Sequence, residues 1–383
     1  MPKEVAQPKI LSLFSGCGGL DWGFHTAGYR TVWANDINKW AVNTFRKNFP
    51  EAAVSQEDIE KIKGKKLKEV PDCDLIVGGF PCQDFSVIWK QPGLDGDRGN
   101  LYKHYLRFID AKKPLTFVAE NVKGLLSANK GRAIAEILKG FENAGNGYMV
   151  KIQLYNFADY GVPQFRERVL IVGVRLDTGF EFAHPAPTHG AGRVAYKTSG
   201  DALRDVEAME MFQKAPKFNR NEIGIVEKTR KMLEMIPEGG NFTDVPTDSE
   251  YYVKGLISHV YRRLNRNEPS KTIIAAGGGG TWGYHYEEPR PLCNRERARL
   301  QSFPDSFEFE GSVTEVRRQV GNAVPPDGVR LVAERLMPLF TGEYEKTDLQ
   351  KLRNELQKLS IRKRLEYDLQ RTKEENSEIE IAT

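Results

Sequence analysis

Short apolar runs alternating with amphipathic stretches set the rhythm of the first half of this chain. Residues 10–14, 31–35, 74–77, 115–119, 149–154 and 168–175 read as buried strands. Residues 20–27, 39–48, 101–109 and 132–144 lie between them and carry apolar side chains on one helical face, as Trp40, Val42 and Phe45 do in the second. Strand and helix alternating at this spacing predict a doubly wound parallel α/β sheet. The rhythm stops near Leu176. From residue 182 to 269 come prolines, glycines and short mixed segments, followed by a β-like run at 272–275 and a glycine corner at 277–280. This stretch predicts a second, smaller, loop-rich domain. A helical pattern returns at residues 295–300 and again after residues 321–326, in an apolar helix ending near Leu339. Beyond Gly342 charges dominate. Leu349, Leu352, Leu356 and Leu359 predict a solvated helix packed by one stripe, fraying after Glu374. The expected division is residues 1–178 with 314–343, residues 179–313, and a tail over 344–383.

A chain of 383 residues with 40% hydrophobic positions buries a full core and has room for two domains. No apolar run reaches the length of about 18 residues that a membrane span needs. The N-terminus lacks the basic-then-apolar pattern of a secretion signal. Cys17, Cys73, Cys82 and Cys293 have no paired short spacing, which argues against a zinc site or a disulfide framework. No metal is expected, and a reducing cytoplasm is the expected compartment. The net charge of +4 permits nucleic-acid binding only through a local basic surface.

Phe14-Ser15-Gly16-Cys17-Gly18-Gly19 lies between the first strand and the first helix. Glycines there let backbone approach a ligand, and the helix start favours a polar or anionic group. The spacing departs from the dinucleotide fingerprint, because Gly19 comes too early for its third glycine. The second strand leads into Asp36, placed to take both hydroxyls of a ribose. Asp58, at the next crossover, is placed to accept from an adenine amino group. Capping or loop solvation is the competing reading for both acids. Together they predict a nucleoside cofactor without a pyrophosphate, which suits S-adenosylmethionine better than a nicotinamide dinucleotide.

Pro81-Cys82-Gln83 follows a strand ending on Gly78 and Gly79 and opens a long polar segment running to Asn100. A cysteine at the carboxyl end of a parallel strand, ahead of such a loop, is placed as a nucleophile. A small buried residue is the alternative. Glu120-Asn121 ends the next strand at the same edge, and Gln164-Phe165-Arg166-Glu167-Arg168 begins another. With this set the chain closely resembles the DNA (cytosine-5)-methyltransferases of bacterial restriction-modification type. The matching segments are residues 14–19, Gly79 to Gln83 with Phe85-Ser86, Asp97 to Leu101, Glu120-Asn121-Val122, Gln164 to Arg168, Arg295 to Asp305, and Gly321 to Pro325. They follow the family's order.

The resemblance implies an S-adenosylmethionine-dependent methyltransferase sheet with a target-recognition domain at residues 179–313. It implies methyl transfer to carbon 5 of a cytosine flipped out of duplex DNA. Cys82 would add as a thiolate to ring carbon 6; Glu120 would serve ring nitrogen 3 and Arg168 oxygen 2, with Arg166 beside them. A structural ion pair with Glu167 or a nearby acid is the alternative for the two arginines. The implied cofactor residues are Phe14, Gly16, Cys17, Gly18, Gly19, Asp36, Ile37, Asp58, Ile59, Pro81, Leu101, Asn322 and Ala323. The family often has serine where this chain has Ala323, so one hydroxyl contact is missing. Gln83, Ser86, Lys90 and Arg98 are the expected DNA contacts of a lid, in which Trp89 or Ile88 fills space beside the extruded base.

By the same resemblance, residues 182–267 form the target-recognition region. Arg193, Lys197, Asn219, Arg220, Arg262, Arg263 and Arg266 are its candidate base or phosphate contacts. His184 and His189 read as loop histidines. The implied partners are double-stranded DNA and, functionally, a cognate restriction endonuclease, for a monomer associated with the nucleoid. Two rivals stand beside this reading. A transfer-RNA branch of the family usually has Pro-Pro-Cys-Gln, against Phe80-Pro81-Cys82-Gln83 here. A non-catalytic DNA-binding relative is disfavoured by intact Cys82, Glu120 and Arg168.

Overall fold

The computed structural model describes residues 7–81, 101–206, 225–252, 260–275 and 283–370. Cys82, Gln83, Ser86, Lys90 and Arg98, with Asn219 and Arg220, lie outside the described residues.

The described strands form one seven-stranded sheet in the order β3-β2-β1-β4-β5-β7-β6. They are β1 (Lys9–Leu13), β2 (Arg30–Asn35), β3 (Ala53–Ser55), β4 (Leu75–Gly79), β5 (Thr116–Val122), β6 (Tyr148–Asn156) and β7 (Glu167–Arg175). The helices α1 (Gly19–Thr26), α2 (Lys39–Asn48), α3 (Lys65–Glu69), α4 (Leu101–Lys112) and α5 (Arg132–Asn143) are the crossovers. The expected α/β alternation is therefore present, with one correction to its direction. β1 through β5 pair in parallel, but β7 runs antiparallel to β5. A strand arriving after β6 enters between β5 and the edge, so its first residues, not its last, lie beside the carboxyl end of β5.

Both faces of the sheet are covered, which explains why the strands read as continuous apolar runs. Phe80, Tyr105, Phe108, Phe117, Phe141 and Tyr148 are buried on one face. Tyr105 satisfies its hydroxyl there by donating to the carbonyls of Ile76 and Val118 at 3.1 and 2.9 Å. Among the described residues no helix is long and apolar enough to cross a membrane.

Contacts divide the chain into two units. One comprises Met1–Tyr155, Glu167–Pro187 and Val329–Thr383; the other comprises Asn156–Arg166 and Thr188–Gly328. The first holds the sheet. The second has little regular structure: α6 (Ser199–Leu203), α7 (Glu227–Glu234), α8 (Asn294–Leu300) and α9 (Val313–Asn322) lie within it. Residues 272–275 form no strand. In the second unit Met232, Leu233, Ile236, Phe242, Val245 and Tyr284 make a small separate core.

The tail bears out the packed stripe, since Leu349–Gln357 is a helix that buries Leu349 and Leu356. It adds burial not expected from the sequence: residues 361–370 are helical, and Arg364 and Asp368 there are buried. Arg364 pairs with buried Glu142 of α5 at 2.6 Å. Asp368 accepts from the Ile152 amide at 3.0 Å, covering part of edge strand β6. His184 does lie in a loop, as read, but the loop is a buried one. It is buried against the Tyr155 hydroxyl at 2.7 Å, and burial lowers its ring to about 3.

Candidate active site

The first turn leaves β1 through two left-handed residues, Phe14 (φ 51°) and Gly16 (φ 55°), and reaches α1 through Gly18 (φ 95°). A bulky residue at positive φ is uncommon and gathers at ligand sites. A Cβ on Gly18 would stand 2.5 Å from the Phe49 ring, so this position also requires glycine for packing. Two backbone bonds hold the turn: the Ser15 amide donates to Asn35 and the Gly18 amide to Ser15, both at 3.0 Å. The Ser15 hydroxyl oxygen is buried with no partner among the described residues.

Asp36 follows β2 and faces this turn. One carboxylate oxygen accepts from the Gly16 amide at 2.9 Å, the other from the Asn38 amide at 2.8 Å. Burial raises its carboxyl above the ordinary range, and these amides counter the rise. Its neighbour Ile37 is 67% exposed, an unusual placement for isoleucine. Asp58 accepts from the Glu60 amide at 3.0 Å, the capping role weighed for it, and Ile59 beside it is buried. The residues present fit an adenosyl cofactor: an orphaned hydroxyl, an open glycine turn, a half-buried carboxylate and an exposed apolar side chain.

The second cluster forms where parallel β4 and β5 end. Register places Gly79 opposite Glu120 and, across the antiparallel pair, Val122 opposite Arg168. A Cβ at Gly79 would lie 2.8 Å from a Glu120 carboxylate oxygen, so glycine leaves room for that acid. Arg168 Nε meets Glu120 Oε1 at 2.8 Å, with both side chains largely buried. Asn121 donates its amide to the Phe80 carbonyl at 2.9 Å, two residues before Cys82. Pro81 is exposed, and Leu101, which opens α4, is half-buried.

Three cysteines are described. Burial pushes the thiols of Cys17, Cys73 and Cys293 up to about 12, so none supplies a thiolate near neutral pH.

Arg166 makes contacts of a different kind from Arg168, although only Glu167 separates them in sequence. It is fully buried and donates to the carbonyls of Ile273, Gly321 and Ala323 at 2.9, 2.8 and 3.0 Å. Gln164 extends the same scaffold, donating to Leu300 and accepting from the Ile273 amide. Arg166 therefore serves backbone carbonyls, where the sequence reading placed it among the catalytic residues, with an ion pair to Glu167 or a nearby acid as the alternative. Glu167 instead pairs with Lys123 at 2.8 Å. Asn322 is exposed and Ala323 buried, in the turn that Arg166 holds.

The candidate DNA contacts separate in the same way. Arg263 is buried and donates to five carbonyls, those of Leu233, Ile236, His285, Tyr286 and Glu287. Arg266 is taken up by Glu238 at 3.0 Å and lies over the Tyr286 ring. Arg193 is exposed, and Lys197 lies 3.9 Å from Asp327. Arg262 lines a pocket of about 340 Å³ with Asn241, Asn265 and Lys271. Asn241, Asn265 and Lys271 were not singled out from the sequence, where nothing but proximity to Arg262 marks them.

A family model described as C-5 cytosine-specific DNA methylase matches residues 8–337. Type II methyltransferase M.NgoFVII of Neisseria gonorrhoeae is 64% identical over 347 residues, covering 90% of both chains. Type II methyltransferase M.BbvI of Brevibacillus brevis is 41% identical, covering 86% of this chain and 90% of its own. A solved structure described as a DNA modification methyltransferase encoded within an E. coli prophage superposes with a TM-score of 0.69. It shares 23% identity and covers 88% of this chain and 100% of its own, a likeness of fold.

Proposed function

We propose, starting from the fact that this chain belongs to the C-5 cytosine-specific DNA methylase family, the residues and cofactor through which it works. The chain is a DNA (cytosine-5)-methyltransferase. S-adenosylmethionine is the donor we assign, and its role is to supply an electrophilic methyl group. Phe14, Ser15, Gly16 and Asp36 would hold it, with Ile37 against the adenine. Relatives named Type II methyltransferases support a protective role beside a restriction endonuclease.

The Glu120–Arg168 pair carries the reading, because it places an acid and a cation at one strand edge, beside the Phe80 turn that leads to Cys82. Carbon 5 of cytosine is a weak nucleophile until a nucleophile adds at carbon 6. The Cys82 thiolate makes that bond, and the electron pair displaced from the 5,6 double bond builds up toward nitrogen 3 and oxygen 2. Glu120 gives a proton to nitrogen 3, and Arg168 donates to oxygen 2. As carbon 5 takes the methyl group, the nitrogen 3 proton returns to Glu120; loss of the carbon 5 proton to solvent then expels Cys82 and restores the ring. A stacked base is out of reach, so the cytosine must leave the duplex. Arg166 positions the Gly321–Ala323 turn and touches no base in this scheme.

Bisulfite sequencing of DNA from a host expressing the protein gives the methylated word. Duplex DNA with 5-fluorocytosine at that position should then trap the protein covalently, only with S-adenosylmethionine present. Fluorine cannot leave as a proton does, so the final elimination stops. The adduct should vanish in Cys82→Ser. A trapped peptide containing Cys17, Cys73 or Cys293 would overturn the nucleophile.

A further inference from the structure

Behind the Gly16–Gly19 turn lies a charge that the scheme above does not use. Asp21, in the first turn of α1, is fully buried. One carboxylate oxygen accepts from the Ser12 hydroxyl of β1 at 2.7 Å, the other from the Thr31 hydroxyl of β2 at 2.9 Å. Among the described residues no lysine, arginine or histidine pairs with it or with Asp36. Both acids act on the same place, since each adds to the rise that burial causes at the Cys17 thiol. A buried carboxylate answered by two neutral hydroxyls and its own backbone amide, with no cation beside it among the described residues, is costly. The independent sign of a ligand is the Ser15 hydroxyl oxygen of the same turn, in a residue nine-tenths buried and without a partner among the described residues.

We infer that Asp21, together with Asp36, gives the cofactor cradle its preference for a cationic ligand, favouring the sulfonium donor over its neutral thioether product. The inference rests on the cofactor assignment above. S-adenosylmethionine carries one positive charge more than S-adenosylhomocysteine, and methyl transfer removes it. A fixed negative field in a site of low dielectric holds the donor and releases its hold when the charge is gone. Asp21 touches neither ligand in this account; it acts on the difference between them. That separates it from Asp36, whose place beside the turn suits direct contact.

Burial pushes the Asp21 carboxyl up to about 6, so the field should weaken as pH falls from 7 to 5. The groups around it are few. Ser12 on β1 and Thr31 on β2 do not titrate in this range, and the Cys17 thiol stays protonated. His25, four residues along α1, is exposed and lies against Trp22 and Phe49. Asp36 is itself raised by burial and must be separated by mutation.

Calorimetry on the full chain decides the matter without turnover. Affinities for S-adenosylmethionine and S-adenosylhomocysteine are measured at pH 7 and pH 5, in the wild type and in Asp21→Asn. At pH 7 the wild-type preference for the donor should exceed that of Asp21→Asn by roughly three- to tenfold. In the wild type it should shrink on acidification, and in Asp21→Asn it should shrink less. Equal weakening of both ligands in the variant, with their ratio unchanged, makes Asp21 structural only and overturns the inference. If Asp21→Asn does not fold, a wild-type ratio that stays flat between pH 7 and 5 overturns it alone. Binding of neither ligand to the wild type would sink the cofactor assignment itself, a result distinct from an unchanged ratio.

Discussion

The two units lean on different means to satisfy their buried backbone. In the sheet unit, ladders between β1, β2, β4 and β5 pair strand amides with strand carbonyls, and side chains are left to pack. In the loop-rich unit, arginines do what ladders do elsewhere. Arg263 serves five carbonyls, Arg166 three, and Arg295 those of Pro304 and Phe307. Arg299 reaches the carbonyls of Ala202 and Arg204 while paired with Asp305. A guanidinium is suited to this, with five donors on a rigid plane. An arginine in the second unit can thus be scaffold where the sequence offers it as a DNA contact. In the first unit, Arg168 on β7 has no such duty toward loops and meets a carboxylate.

The largest effect should come from breaking that division at Arg263. Arg263→Ala strands several buried carbonyls and should cost roughly 3 kcal/mol or more. Hydrogen exchange should show protection lost from the second unit, and DNA binding should fail. Cofactor affinity, read by calorimetry, should hold. Loss of cofactor binding to the same degree would break the comparison.

Arg166 and Arg168 sharpen it within three residues. In Arg166→Lys one ammonium replaces a fork spanning three carbonyls, so stability should fall by about 2 kcal/mol while turnover at low temperature falls less. Arg168→Lys should do the reverse: little change in Tm, and kcat down by roughly a hundredfold through lost stabilisation at oxygen 2. Matching profiles for the two variants would show that they share one role.

The first unit should also reveal its buried acid through pH. Burial raises Asp368 to about 6, against the strand-edge amide of Ile152 and near Lys151. A raised carboxyl favours the fold in its protonated form. Its contribution is therefore complete below about pH 4 and lost as pH rises through 6. Asp368→Asn should flatten that part of the pH–stability curve, an effect on the order of 1 kcal/mol in denaturant titrations. Smallest of all, Arg266→Ala should leave Tm unchanged, since its pair with Glu238 is exposed. A marked fall would make Arg266 scaffold like Arg263.

Much of the sheet unit was legible in the sequence. Apolar periodicity located every described strand except short β3, whose three residues give no period to read. Helix α2 fell at its observed limits, where the Asn38 side chain caps Trp40 and Ala41. The glycine turn, Asp36 and Glu120 were named from strand ends, because in a parallel sheet those ends share one edge by construction. Arg168, at the start of its strand, was named from the motif and reaches that edge only because β7 is reversed. The reversal of β7 was not legible, since an apolar run reads the same in either direction.

What the sequence determined by itself is whatever depends on neighbours in the chain: strand and helix periods, the turn chemistry of residues 14–19, and the ordered motifs that mark a cytosine-5 methyltransferase. What only the tertiary structure decided is the fate of each charged side chain. Arg166 and Arg168 differ by one intervening residue, and one is buried on carbonyls of Ile273, Gly321 and Ala323 while the other meets Glu120. Asp21, Asp368 and His184 are buried for the same kind of reason. Burial and pairing are set by residues from about ten to hundreds of positions away, and no local pattern records which of them will arrive.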